Sequence, residues 1–435
     1  MPHDAASRAP AARPVITGVG VVSPFGFGYP VFREALAADR VAVTPIHVFD
    51  AADALVKVAG QVPVSEIRTE WLMEALGHLD GRLPEVASGG LRDRKLPFAL
   101  LSALEAWRSA GSPPQSQGAA LSLGLGLEQA LLADFAPLFD DGRINWSDPV
   151  DDALPAVRFR APLEGCADGV VELLSLGGPR VIHASACASG AMAVAQAGAW
   201  IRRGEAEWVL AGASDSMVNP MGTSGMARLG APSPRPAADA CRPFDRHRDG
   251  LVIGEGAASF VVESLAHARA RGAVPLAEIL GWATTQDAHA VTAPRPDGAR
   301  AQAAMARALA RAGCAPDAVD YLNAHGTGTP LNDPTEAKAI RALFGDHSDT
   351  LPVSSIKGAI GHLMAAAGAV ELAACVAAVE TGVLPGTAHL HEIDPECPIN
   401  VLDRAHTGRD VAVTLSNSFG FGGQNCSVVL GRVGP

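Results

Sequence analysis

Two stretches of this chain, Ser185 to Ala197 and Ser354 to Ala373, share a pattern that few folds can accommodate. Each begins with a polar turn and runs into a helical stretch of small residues, mostly Ala, Gly and Val, with no polar stripe. A helix with one polar face can lie on a surface, whereas one that is apolar all round has to be covered on every side. Two such helices in one chain demand a layered structure with both of them inside.

The segments around them repeat as well. Residues 180–184 read as a strand leading into the first stretch, with apolar strands after it at 207–213 and 257–263. From about Ala277 the succession starts again: a strand, an Ala-rich helix over 301–312, a strand at 319–323, a helix over 334–344, then the second polar turn. Alternating strands and helices place the chain in the α/β class with a covered sheet. The repetition predicts an internal duplication with pseudo-twofold packing. Other expected elements are a buried opening strand at 14–24, a short helix within 27–40, an amphipathic helix over 96–109 and a strand at 119–125. An extended excursion or lid is expected at 137–168, and a glycine loop at 417–425 between strands at 411–415 and 426–430.

Composition narrows the functional classes. At 435 residues, 48% hydrophobic and 18% charged, the chain is a well-buried globular protein of two domains or one large fused unit. A formal net charge of −12 argues against non-specific nucleic-acid binding. The seven cysteines form no CxxC pair, which argues against a disulfide framework and a structural zinc site and fits a reducing cytoplasm. Residues 1–14 carry no apolar signal core, and no bilayer-spanning helix is expected, since the most apolar segments are interrupted by Gly, Ser or charges. Gly18-x-Gly20 after the first strand lacks the third glycine of a dinucleotide loop.

Reactive side chains gather at the polar turns. Cys187 lies in His-Ala-Ser-Ala-Cys-Ala-Ser-Gly (183–190), at a strand-to-helix turn where free N–H groups and the helix dipole favour a thiolate. Such a thiolate could attack a carbonyl and hold an acyl group as a thioester. His325 in Asn-Ala-His-Gly-Thr-Gly-Thr (323–329) and His362 in Lys-Gly-Ala-Ile-Gly-His (357–362) could offer neutral Nε2–H donors to a second carbonyl and stabilise an enolate. A cysteine–histidine pair alone would also suit a hydrolase, and most isolated cysteines are inert small hydrophobes. Two histidines without a metal-ligand set fit carbon–carbon chemistry better. Lys357 is expected to bridge to a carboxylate such as Glu336, which would brace the His325 loop. The glycines at 420–423 would let backbone donors approach a developing oxyanion.

Taken in order, these motifs resemble one family across nearly the whole chain. They are Val-Ile-Thr-Gly-Val-Gly-Val-Val-Ser-Pro, Ala-Cys-Ala-Ser-Gly, Arg-Pro-Phe-Asp-Arg, Gly-Leu-Val-Ile-Gly-Glu-Gly, Thr292-Ala-Pro, Asn-Ala-His-Gly-Thr-Gly-Thr with Asn332-Asp333, Ser-Ser-Ile-Lys with Gly-His, and Asn-Ser-Phe-Gly-Phe-Gly-Gly. The chain resembles an elongating β-ketoacyl-[acyl carrier protein] synthase, a condensing enzyme of the thiolase superfamily. The resemblance implies a five-layer αβαβα fold of two similar halves. Residues 14–274 would hold the cysteine nucleophile and 275–432 both catalytic histidines.

It further implies that Cys187 is acylated and that His325 and His362 promote decarboxylation of malonyl-[acyl carrier protein]. Lys357 and Glu336 would organise the site, and the N–H groups of Cys187 and Phe421 would form an oxyanion hole. Phe421 would gate the cysteine and Phe419 would face the malonyl side. No redox cofactor or metal is implied. The expected partners are an acyl carrier protein and a second subunit, identical or unlike. Fatty-acid and polyketide or polyene pathways both fit. So do two other readings, a catalytically silent partner subunit and a non-decarboxylating thioester acyltransferase. Residues 41–170 match least: the strand there reads Leu121-Ser-Leu-Gly-Leu-Gly-Leu-Glu where the family tends toward Gly-Thr-Gly-x-Gly. Arg202, Arg203, Arg242, Arg246 and Arg248 are candidates for a local basic patch that would dock an acidic carrier on this acidic chain.

Overall fold

The duplication shows in the strand order. In the computed structural model, which describes residues 12–63, 93–127, 139–140, 143–144 and 163–434, ten strands build two five-stranded sets. The first has β1 (Pro14–Ser23), β2 (Ala119–Leu125), β3 (Arg180–His183), β4 (Trp208–Ser216) and β5 (Ile253–Ser264). The second has β6 (Ala277–Gln286), β7 (Tyr321–Asn323), β8 (Val353–Ser354), β9 (Val413–Gly420) and β10 (Gln424–Gly431). Hydrogen bonding orders them β3-β2-β4-β5-β1 and β8-β7-β9-β10-β6, the same order within each half. Strand directions match too. β2 is parallel to β3 and β4, and β5 antiparallel to β4 and β1. Likewise β7 is parallel to β8 and β9, and β10 antiparallel to β9 and β6.

Even the irregularities are duplicated. The β1–β5 register shifts between Ile16 and Gly18, and the β6–β10 register between Ile279 and Gly281. A Cβ at Gly18 would lie 2.1 Å from the Ala106 carbonyl, and one at Gly281 2.3 Å from that of Ala308, because a helix packs flush on each bulged strand. Those helices are α1 (Lys95–Ser109) and, in the second half, α4 (Ala299–Ala312). With α2 (Leu163–Leu174) and α5 (Asn332–Phe344) they form the outer layers. α3 (Ser189–Arg203) and α6 (Ala367–Thr381) contact strands of both sheets and each other, which makes five layers.

Three sequence expectations change. The 96–109 helix is buried along most of its length rather than amphipathic, because α2 covers it. The 137–168 excursion falls mostly outside the described residues, and from Leu163 onward it is helix α2. Most of the glycine loop at 417–425 is strand: β9 runs to Gly420, and only 421–423 turn.

The two small-residue helices occupy the central layer as their composition requires. Every residue of α6 from Ala367 to Val379 is buried. Among described helices, the stretch Met364–Thr381 alone has the length and apolarity to cross a bilayer, and 89% of it is buried inside the protein. The crossing of α3 and α6 is reciprocal. A Cβ at Gly190 would meet the Ala369 nitrogen at 2.6 Å, and one at Gly368 the Ala191 nitrogen at 2.9 Å. Both contacts are with backbone, which cannot swing away. Gly190→Val is therefore expected to cost about 1–3 kcal/mol or more through overpacking, measured as a lower denaturation midpoint. An unchanged midpoint would show that the crossing tolerates a side chain.

Candidate active site

Each half presents its reactive turn at the N-terminus of its central helix. Cys187 sits in a one-turn 3-10 segment, Ala186–Ala188, between β3 and α3. Ser189 ties this turn down: its Oγ accepts the Ser185 N–H at 2.8 Å and donates to the Ala186 carbonyl at 2.7 Å. The β9–β10 turn closes on it from the second half. Gly420 approaches so closely that a Cβ would lie 3.2 Å from the Cys187 nitrogen, and the Phe421 N–H is directed at the Cys187 sulfur.

The histidines come from two different loops. His325 follows β7, and its backbone is held by Glu336 on α5. Glu336 accepts the N–H groups of His325 and Gly326 at 2.8 Å each and the Asn417 amide at 3.1 Å. Glu336 therefore braces the His325 loop as expected. Lys357 does not pair with it. The ammonium donates to Glu371 on α6, to the His325 carbonyl and, at 3.4 Å, to His325 Nδ1. Glu371 escaped the sequence reading, although its signal was present: it is the only charge in the apolar run Ala367 to Val379. A buried carboxylate in such a helix implies a buried cation opposite.

His362 accepts the Met364 N–H on Nδ1 at 3.1 Å, and His325 receives the Lys357 ammonium on the same atom. Both rings therefore carry their proton on Nε2. The ring centroids are 5.4 Å apart and nearly perpendicular, and Phe419 lies 5.7 Å from His325. Cys187, both histidines, Glu336, Phe419 and Phe421 line one cavity of about 1010 Å³, and Lys357 braces it from behind.

Burial dominates the electrostatics. It holds both imidazoles well below the usual histidine range, helped by the Lys357 charge and, at His325, by the neighbouring ring. It pushes Glu336 up to about 7 despite its three donors, and Glu371 up to about 7 despite Lys357. The expectation of a thiolate fails for the same reason. Burial pushes the Cys187 thiol up to about 12, against the pull of Lys357. A helix terminus offers about 0.3–1 kcal/mol, whereas desolvating a charge costs several. Cys187 rests as a thiol.

The arginine candidates fare unevenly. Arg202 and Arg203 end α3, about 22 Å from the end next to Cys187 at 1.5 Å per residue. Arg202 stacks on Trp282 at 4.5 Å, and Arg203 pairs with Glu205. Arg248 is buried against Asp394, Arg242 holds Asp239, and Arg246 is exposed but paired with Glu392. Arg228 and Arg295, missed from the sequence, lie by the cavity. Arg228 is exposed beside Leu229, which lines it, and Arg295 lines it directly while paired with Asp297.

Family models match both halves of the chain. Residues 12–268 match the beta-ketoacyl synthase N-terminal domain and 276–391 the beta-ketoacyl synthase C-terminal domain. The chain belongs to the beta-ketoacyl synthase family. It is a condensing enzyme with the thiolase-like fold of two pseudo-symmetric halves. It is 36% identical to the oxytetracycline polyketide putative beta-ketoacyl synthase 1 of Streptomyces rimosus, over 98% of each chain. It is 35% identical to the 3-oxoacyl-[acyl-carrier-protein] synthase 2 of Coxiella burnetii, over 97% of this chain and 99% of that one. The ishigamide ketosynthase/chain length factor superposes with a TM-score of 0.82 at 31% identity, covering 98% of this chain and all of the other.

The neutral histidines of this synthase carry a pH signature. Below about pH 6.5 the unfolded chain takes up protons that the native imidazoles refuse, so stability falls as pH drops toward their lowered native values. Above that range both states are neutral and the contribution vanishes. The double variant His325→Asn/His362→Asn should lose this acid-side decline relative to wild type in denaturation midpoints between about pH 7 and 5.5. Parallel profiles for the two proteins would refute the neutral pair.

Proposed function

We propose that Cys187 carries the acyl chain of this condensing enzyme and that His325 and His362 handle the malonyl half of the reaction. The observation behind this reading is one cavity shared by a thiol and two imidazoles that burial keeps neutral with Nε2–H exposed to it. In the first step the Cys187 sulfur bonds to the acyl carbonyl, and the carrier thiol departs with the cysteine proton. The N–H groups of Cys187 and Phe421 stabilise the oxyanion of the tetrahedral intermediate. In the second step the bond between the malonyl carboxylate and Cα breaks and carbon dioxide leaves. The electron pair passes into an enolate whose oxygen accepts from both Nε2–H groups. The enolate carbon then attacks the Cys187 thioester, a carbon–carbon bond replaces the carbon–sulfur bond, the departing Cys187 thiolate takes a proton from solvent and returns to the thiol, and a 3-oxoacyl product two carbons longer leaves on the carrier.

Lys357 positions the His325 ring from behind, anchored by Glu371, and Glu336 holds the His325 loop. Phe421 gates the cysteine and Phe419 packs on the malonyl side. An acyl carrier protein supplies both thioesters in a cytoplasmic pathway, docking at the cavity mouth, which exposed Leu229 and Leu331 line together with Arg295, with Arg228 next to Leu229 in the chain. A second subunit, identical or unlike, is expected along the outer edge of β3. That strand pairs only with β2 among the described residues.

Incubation with acyl- and malonyl-carrier substrates should give the extended 3-oxoacyl product, with a mass adduct on Cys187. Cys187→Ala should abolish both. Product formed by a Cys187→Ala complex would identify the chain as a silent partner instead, and absence of carbon dioxide release would identify a simple acyltransferase. Arg228→Glu should raise KM for carrier-bound substrate about three- to tenfold, as loss of a rim charge does, while leaving rates with a small thioester unchanged. Equal KM values would move the docking site elsewhere.

A further inference from the structure

The counterpart of the nucleophile in the second half is already occupied. Cys187 and Ala365 are each the middle residue of a 3-10 turn, Ala186–Ala188 and Met364–Ala366, directly ahead of α3 and α6. Each turn opens on a non-glycine residue in the left-handed region, Ala186 at φ 47° and Met364 at φ 48°. The Ala365 N–H is thus the structural twin of the Cys187 N–H assigned above to the oxyanion. It is closed to any ligand. Asp215, near the end of β4, reaches from the first half's sheet and accepts it on Oδ2 at 2.9 Å.

Two consecutive N–H groups of one turn are therefore committed. That of Met364 donates to His362 Nδ1, and that of Ala365 to Asp215. The first bond sets which nitrogen of His362 holds the proton. The second holds the turn that makes the first possible. Left-handed backbone at a residue such as Met364 costs about 1–3 kcal/mol and persists only where its surroundings over-determine it. Asp215 has no slack: it is 1% exposed, and a Cβ at Gly126 would lie 2.1 Å from its Oδ2. Lys95, itself 1% exposed, supplies a cation on the same side.

We propose that Asp215 is a positioning residue for His362, its carboxyl group serving as an internal hydrogen-bond acceptor in the second half's copy of the nucleophile turn and thereby locking the imidazole's tautomer and direction. One half keeps its turn open for substrate, and the other fills the same position with its own carboxylate to hold a histidine. The inference rests on the assignment of His362 to decarboxylation.

The two half-reactions separate the possibilities. Carbon dioxide release from malonyl-carrier protein and acyl transfer to Cys187, read by intact mass, are measured for Asp215→Ala, Asp215→Asn and Gly126→Ala. Asp215→Ala should lose carbon dioxide release by about tenfold to a hundredfold, the scale of a small misplacement of a catalytic group, with acyl transfer within about threefold of wild type. Asp215→Asn should recover most of the loss, since its amide oxygen can still accept from Ala365. Gly126→Ala, which crowds the carboxylate without removing it, should reproduce the selective loss. Unchanged carbon dioxide release in Asp215→Ala overturns the proposal. So does an equal fall in both half-reactions across the three variants with a lowered Tm, which would make Asp215 only a stabilising residue. His362→Ala is run beside them. If it leaves carbon dioxide release intact, the histidine assignment fails rather than the role of Asp215.

Discussion

The active site depends on the contact between α3 and α6. These helices cross where Gly190 faces Ala369 and Gly368 faces Ala191, with backbone on backbone. Such an approach brings the N-terminal turns of both helices to the same point between the sheets. One turn carries Cys187 and the other follows His362 by two residues. A larger side chain at either glycine would separate the turns, and with them the two halves of the chemistry. The repeated strand order and the repeated bulges at Gly18 and Gly281 serve this crossing, because they hold two equivalent sheets on opposite sides of one helical layer.

Around the crossing, duplication gives way to division of labour. The β7 loop with His325 and the β9–β10 turn with Phe421 belong to the second half, yet they converge on the first half's cysteine. In return Asp215 of the first half secures the second half's turn. Neither half holds a complete site. The buried charges follow the same pattern. Lys357 and Glu371, and Glu336 with its three donors, are paired or hydrogen-bonded inside the core, where a charge left alone would cost several kcal/mol. Ion pairs of this kind add little net stability. Their effect is to fix loops, and here they fix the histidine loops.

Much of this was legible in the residues. The two small-residue helices announced a central layer, and the repeated succession from Ala277 announced the duplication. Cys187, His325 and His362 stood out because each lies in a turn of small or glycine residues. Glu336 was readable as a brace. The partner of Lys357 was not, since Glu336 and Glu371 both lie within a few helical turns' length of chain from it, and only packing selects between them. Asp215 carried the same signal as Glu371, a lone charge in an apolar element, but its partner, the Ala365 N–H 150 residues away, was not readable.

The sequence by itself determined the class of fold, the duplication and which polar side chains sit at the turns ahead of the central helices, because periodicity and residue type report local demands for burial and for turning. Tertiary structure alone decided the state of those side chains. It made the cysteine a thiol rather than a thiolate, kept both imidazoles neutral with the proton on Nε2, and matched Lys357 to Glu371. Each of these follows from desolvation and from contacts between segments far apart in the chain. Neither can be evaluated until the layers have closed.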